Sequence, residues 1–169
     1  EIEKEITFNY YKDLVGEIVV GEIYQLKPKS ILLIHNGNEV IFPKNEQIAK
    51  ERYKKGDTIR AIIKSVEKRQ SGPPVVIASR ADEQFLYKLF ELEIPEIYDG
   101  IIEVKGIARF AGERAKIAVT SNDDRIDAVG ACVGMKGIRI HSIVRELNNE
   151  NIDVINYSED PSTFISRAL

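Results

Sequence analysis

Cys132-Val133-Gly134-Met135-Lys136-Gly137-Ile138-Arg139-Ile140 places two glycines three residues apart in a stretch that forms helix on either side. One glycine is enough to stop a helix. Two of them, followed at once by a second helix, mark a place where something must come close to the main chain. Downstream, Ile140, Ile143, Val144 and Leu147 recur at i, i+3, i+4 and i+7, the stripe of an amphipathic helix that Asn148-Asn149 ends. Upstream, Ala128 to Val133 forms a compact helix, with the carboxylates of Asn122-Asp123-Asp124-Arg125-Ile126-Asp127 placed to cap it.

The surrounding elements give this loop its context. After Gly100, Ile102, Val104 and Ala108 alternate on one face. Across the turn Phe110-Ala111-Gly112-Glu113, so do Ala115, Ile117 and Val119, which predicts a hairpin with one buried side. Ile152 to Tyr157 supplies a third strand. Before the hairpin, Ser79-Arg80-Ala81-Asp82 has the form of a capping box. It opens a helix whose stripe is Phe85, Leu86, Leu89 and Phe90 and which Pro95 closes. The order is helix, strand, strand, helix, GxxG, helix, strand. A GxxG loop between two helices on a three-stranded sheet is how a KH domain grips single-stranded nucleic acid.

The first half has a different texture. Gly16 to Tyr24, Ser30 to His35, Glu39 to Phe42, Thr58 to Glu67 and Val75 to Ala78 read as short strands, with Asn36-Gly37-Asn38 as a hairpin turn. A polar helix is predicted from about Asn45 to Lys55, ending at Gly56. Five strands with a helix inserted after the third match a small OB-fold barrel. Glu1 to Lys12, with Ile2, Ile6 and Tyr10 at helical spacing, reads as the end of a connecting helix. The fold class is therefore α+β and multidomain.

Bulk properties limit the function. The chain has 169 residues and a net charge of −3, which argues against an indiscriminate nucleic-acid glue. Residues 1–80 hold 14 Lys+Arg against 11 Asp+Glu, leaving 10 against 16 in the remainder. A polyanion held by the second half needs a local site, because the wider field opposes it. No apolar run approaches the length of a membrane span, no signal peptide is visible, and Glu1 rather than Met opens the sequence, as in a piece of a longer protein. The single Cys132 excludes an internal disulfide or cysteine zinc cluster and fits a reducing cytoplasm. It reads as a small buried filler.

The candidate RNA-binding residues follow from the loop. Gly134 and Gly137 remove two Cβ atoms so that a phosphodiester can lie against the backbone, and Lys136 adds charge. Met135 can flatten on a sugar or base. Val133 and Ile138 flank the groove, with Ile140 and Ile155 in it or in the core. Arg139 and Arg145, placed on the exposed side of the second helix, touch either phosphate or solvent. In the barrel, Phe42, with Tyr24 and His35 nearby, is either a stacking platform or core.

Taken together, Ser79-Arg80, Leu89-Phe90-Glu91-Leu92-Glu93-Ile94-Pro95-Glu96-Ile97, Arg114-Ala115-Lys116-Ile117-Ala118-Val119, Asp127 to Gly137 and Ile152-Asp153-Val154 resemble the NusA family of bacterial transcription factors. The resemblance spans essentially the whole chain. It implies a connecting helix at 1–14, an S-one-type OB barrel at 15–80, a type II KH domain at 81–160 and the start of a following KH domain at 161–169. It also implies binding to nascent single-stranded RNA on elongating RNA polymerase, with effects on pausing, termination and antitermination. Partners would be RNA polymerase, through the full-length protein, and other antitermination factors. The default state is a cytoplasmic monomer without cofactor, metal or enzymatic activity. Three positions depart from the family pattern: Phe110-Ala111 replaces a usual Glu-Pro, Ala128 a usual Pro, and Ile138 a common Ser.

Two other classes compete. An enzyme would use Asp123, Asp124 and Asp127 as a metal site, but capping accounts for these carboxylates. RNA-degrading phosphorylases carry both modules in the opposite order and need a catalytic core that is missing here. A protein-interaction scaffold with a KH fold that has lost RNA binding is the third reading, and the acidic second half points to it.

Overall fold

The computed structural model describes residues 2–157. The segment 161–169, assigned above to a following KH domain, and residues 158–160 lie outside the described residues. The chain divides into two compact units between Phe85 and Leu86.

The first unit is a closed barrel of β1 (Ile18–Leu26), β2 (Ser30–His35), β3 (Asn38–Pro43), β4 (Thr58–Glu67) and β5 (Val75–Ser79), in the order β1-β2-β3-β5-β4. Antiparallel pairing runs through four of the contacts, and a parallel pair, Ile41 with Ile77, closes the ring. Closure removes free strand edges. Asn36 and Gly37 both take positive φ (49° and 78°), which a two-residue β-hairpin requires. The interior holds Val19, Ile23, Ile31, Leu33, Val40, Phe42, Ile63 and Val76. The preceding helix α1 (Ile2–Leu14) adds Tyr11 to this core, whereas Ile6 and Tyr10 of the expected stripe are exposed. Tyr11 donates to the His35 carbonyl at 3.2 Å, and its hydroxyl lies 2.8 Å from His35 Nδ1.

The helix expected at 45–55 does not form. Only a single 3-10 turn, Lys44–Glu46, precedes an extended loop. Tertiary contacts override local propensity here. Ile48 is fully buried. Arg80 grips both oxygens of Glu51 at 2.6 and 2.7 Å, while Tyr53 donates to Glu51 at 2.7 Å and stacks edge-on against Phe42. Glu46 accepts from Lys64 and Ser79 at 2.6 and 2.7 Å. A continuous helix would turn most of these groups away from the barrel.

The second unit is a sheet ordered β6-β7-β8, built from β6 (Ile102–Phe110), β7 (Arg114–Ser121) and β8 (Asn151–Asn156). Helices α2 (Glu83–Glu93, which begins before the division), α4 (Ala128–Val133) and α5 (Ile138–Glu146) complete the α-β-β-α-α-β succession, with the short α3 (Pro95–Tyr98) added between α2 and β6. β6 and β7 are antiparallel; β7 and β8 are parallel. A bulge between Val104 and Gly106 changes the expected alternation. Ile107, not Ala108, comes opposite Ile117 and shares the face of Ile102 and Val104, because the extra residue inverts the side-chain parity beyond it. Leu86, Leu89, Phe90, Ile94, Ile117, Val119, Cys132, Ile143 and Leu147 are buried.

One buried ion pair fixes the ends of this unit. Arg109 and Glu150 have fully buried side chains and meet through two hydrogen bonds of 3.0 Å. The Gly112 N–H donates to the same carboxylate at 2.7 Å. The β6–β7 turn is thereby tied to the chain entering β8, just after Asn148 and Asn149 adopt positive φ (58° and 68°) to end α5.

Candidate nucleic-acid interface

α4 stops at Val133, and the next four residues use three positive φ angles: Gly134 at 80°, Lys136 at 56° and Gly137 at 78°. The Gly134 N–H donates to the Gly130 carbonyl at 2.9 Å and the Gly137 N–H to the Gly134 carbonyl at 3.0 Å, so the reversal is closed by its own backbone. Gly137 then stands at the N-cap of α5 and has no side-chain capping bond to offer. The first-turn amides of a helix carry a partial positive charge. Here no side chain of the N-cap residue covers them.

The glycines also have a packing role within the loop that the sequence does not reveal. A Cβ on Gly134 would sit 2.8 Å from Arg139 Cγ and 3.0 Å from Arg139 N. On Gly137 it would lie 3.1 Å from His141 Cδ2. Both vacant positions thus face the first turn of α5 rather than solvent. The glycines let the loop fold against its helix at positive φ. What this geometry exposes is the residues between and after them: Met135 at 81%, Ile138 at 63%, and Lys136. Lys136 is a non-glycine residue in the left-handed region, a conformation that costs about 1–2 kcal/mol and holds its side chain outward. Gly130, in α4, is also close-packed, since a Cβ there would meet Asp127 Oδ2 at 2.6 Å.

A family model described as "NusA-like first KH domain" matches residues 80–157. Over the whole chain, the "Transcription termination/antitermination protein NusA" of Bacillus subtilis (strain 168) is 42% identical, and the chain covers 45% of that protein. The protein of the same name from Thermus thermophilus is 40% identical with 44% covered, and that from Rickettsia conorii is 40% identical with 33% covered. The chain is thus similar over its whole length to NusA proteins, and its second half to their first KH domain. It spans less than half the length of these relatives.

The remaining candidate residues sort by placement. Val133 is half-buried beside the loop, and Ile140 and Ile155 are half-buried as well. Arg145 is exposed two turns along α5. Arg139 is not on the exposed side of the helix as expected. Its Nη1 donates to both Glu96 oxygens at 3.0 and 3.1 Å and to the Ala131 carbonyl at 2.8 Å. Burial, with Glu96 nearby, pushes the Cys132 thiol up to about 11, and the side chain is a fully buried filler.

Phe42 requires a correction. It is completely buried in the barrel interior, because inward-facing positions of β3 alternate with outward ones and Phe42 shares the inward parity of Val40. It offers no stacking platform. Tyr24 donates to Glu39, which raises its hydroxyl's pKa, and burial lowers that of the His35 imidazole.

The acidic run before α4 is also distinct from its expected role. Asp127 makes no side-chain capping bond to α4. Asp123 instead accepts the Arg125 N–H at 2.9 Å and pairs with its guanidinium at 3.0 and 3.1 Å, which lowers the Asp123 pKa. Among the described residues no His, Cys, Asp and Glu side chains converge in a group of three that could hold a metal ion. Nor is any helix of those residues long and apolar enough to cross a membrane.

Two residues near the loop escaped the sequence reading. Glu96 lies 43 positions before its partner Arg139, on α3, and no local pattern links them. His141, exposed one turn into α5 against Gly137, was detectable from its i+4 spacing to that glycine.

Proposed function

We propose that this chain binds single-stranded RNA at the 134–138 loop, as the RNA-contacting part of a transcription factor. The observation that carries this reading is an exposed Met135-Lys136 pair held up by two positive-φ glycines at the uncapped mouth of α5. A phosphate at that mouth receives first-turn amides and the Lys136 ammonium, each charge-assisted bond contributing about 1.5–3 kcal/mol. Met135 and Ile138 then present apolar surface to the adjoining sugar or base. The local site outweighs the acidic surroundings because salt screens exposed charges beyond about 8 Å. The strand rests on the loop's backbone and raised side chains, not in the spaces left by the missing Cβ atoms.

In the full-length protein the same contact would hold nascent RNA on elongating RNA polymerase in the cytoplasm and modulate pausing, termination and antitermination. The names of the relatives support this role. Polymerase and other antitermination factors are assigned to the whole protein. The chain itself acts as a monomeric binding module without catalysis. Residues 15–80 and 81–160 are taken as its S-one-type barrel and first KH domain.

The test is Met135→Asp with Lys136→Asp. Asp tolerates positive φ, so the loop can retain its path. Affinity for single-stranded RNA should fall at least about tenfold, since one charge-assisted bond is lost and two repulsions appear. Equal affinity in variant and parent would favour the interaction-scaffold reading.

A further inference from the structure

Arg139 was a candidate phosphate contact, yet its geometry gives it other work. A single nitrogen, Nη1, reaches three acceptors on two other elements: both oxygens of Glu96 on α3 and the Ala131 carbonyl in the last turn of α4. The aliphatic part of the same side chain presses on the loop, with Cγ and Cβ 2.8 and 3.1 Å from where a Gly134 Cβ would stand. Arg139 also belongs to the first turn of α5. It therefore links the helix before the GxxG loop, the helix after it and a third helix, while its stem touches the loop's first glycine. The side chains of the ion pair are 31% and 24% exposed, sheltered enough to hold one geometry. With its charge opposed by Glu96, Arg139 is poorly placed to neutralise a phosphate.

We infer that Arg139 and Glu96 are positioning residues for the RNA loop. They set the angle between α4 and α5, and RNA affinity depends on them although neither touches RNA. This rests on the RNA-binding reading above. Glu96 provides the sharp distinction. If electrostatics alone governed the site, removing a carboxylate near a polyanion would strengthen binding. If Glu96 positions Arg139, the same removal weakens it.

The experiment compares the parent chain with Glu96→Gln, Arg139→Met and Arg139→Lys. It measures affinity for a uniform single-stranded RNA across a salt series, and amide hydrogen exchange at residues 133–139. Glu96→Gln should weaken binding roughly threefold to tenfold and Arg139→Met about tenfold or more, as befits loss of charge-assisted bonds that hold the loop. In both, exchange at the loop should accelerate while the slope of log affinity against log salt is unchanged. Arg139→Lys, which keeps a cationic donor within near reach, should recover part of both readouts. Stronger binding by Glu96→Gln would overturn the inference. So would a slope reduced by about 0.7 in Arg139→Met, the signature of one lost phosphate contact on a single strand. A parent chain with no salt-dependent RNA affinity would sink the RNA reading instead. Positioning would then be judged on exchange alone, and unchanged exchange in Glu96→Gln would refute it.

Discussion

Replacing each loop glycine with alanine separates two reasons for their presence. Gly134 sits at φ 80° and ψ 169°, a region essentially restricted to glycine, where another residue costs about 1–3 kcal/mol. Its new Cβ would also meet Arg139 Cγ at 2.8 Å and the Arg139 backbone nitrogen at 3.0 Å. A backbone atom cannot rotate aside, so α5 must shift and its clamp with it, adding about 1–3 kcal/mol of overpacking. The expected loss is roughly 2–6 kcal/mol. Gly137, at φ 78° and ψ 14°, is in the ordinary left-handed well, where alanine costs about 1–2 kcal/mol. There the only tight neighbour of the new Cβ is the His141 ring, with Cδ2 at 3.1 Å and Nε2 at 3.4 Å on an exposed side chain, while Ile140 Cγ2 at 3.8 Å is in ordinary contact. Gly134→Ala should therefore destabilise more than Gly137→Ala by at least about 1 kcal/mol. Urea unfolding read through hydrogen exchange of β7 amides measures this for the second unit directly. Equal losses, or the reverse order, would refute the packing argument. A loss of RNA affinity by Gly134→Ala without loss of stability would restore the simpler idea that the glycine exists only to admit the ligand.

The rest of the molecule yields further expectations. Phe42→Ala should cost the barrel about 3–5 kcal/mol in chemical denaturation. Once folded protein alone is counted, it should leave RNA affinity unchanged; a selective loss of affinity would revive the platform. Arg109→Met should cost about 3–5 kcal/mol by stranding the buried Glu150 carboxylate, and Arg109→Met with Glu150→Met should cost less; additive losses in unfolding experiments would contradict this. Because burial lowers the His35 pKa, the unfolded chain protonates first as pH falls through about 6.5. Barrel stability should thus be full above that pH and decline below it, and His35→Asn should flatten the decline in unfolding curves at pH 7.5 and 5.5. Cys132, fully buried and with its thiol at about 11, should resist iodoacetamide at pH 8 in the folded chain and react once urea unfolds it; rapid native labelling would refute that burial.

What the sequence revealed depended on how local the determining interaction is. Ser30 to His35 and Thr58 to Glu67 were found with their observed bounds, because strand alternation and the Asn36-Gly37 turn are local signals. The GxxG loop and α5 were equally clear from glycine spacing and the Ile140, Ile143, Val144, Leu147 stripe. The segment 45–55 misled because its residues favour helix individually, while Glu46 is held by Lys64 of β4 and Ser79 of β5, Glu51 by Arg80 just after β5, and Tyr53 packs on Phe42 of β3. The bulge after Val104 left no composition signal beyond Gly106, and it moved Ala108 off the buried face. Arg139 appeared as one more solvated cation on a helix, since nothing nearby in sequence identifies Glu96 as its partner. The packing of α5 against both glycines left no sign in the sequence, because the Arg139 and His141 contacts that require it depend on how the loop folds back on its helix.

The claim that RNA settles on the 134–138 loop is tested most directly by amide chemical-shift mapping during titration with a uniform single-stranded RNA. The account predicts saturable shifts centred on Met135, Lys136, Gly137 and Ile138, extending to Val133 and fading as salt rises. Shifts that gather elsewhere while those amides stay silent would contradict it.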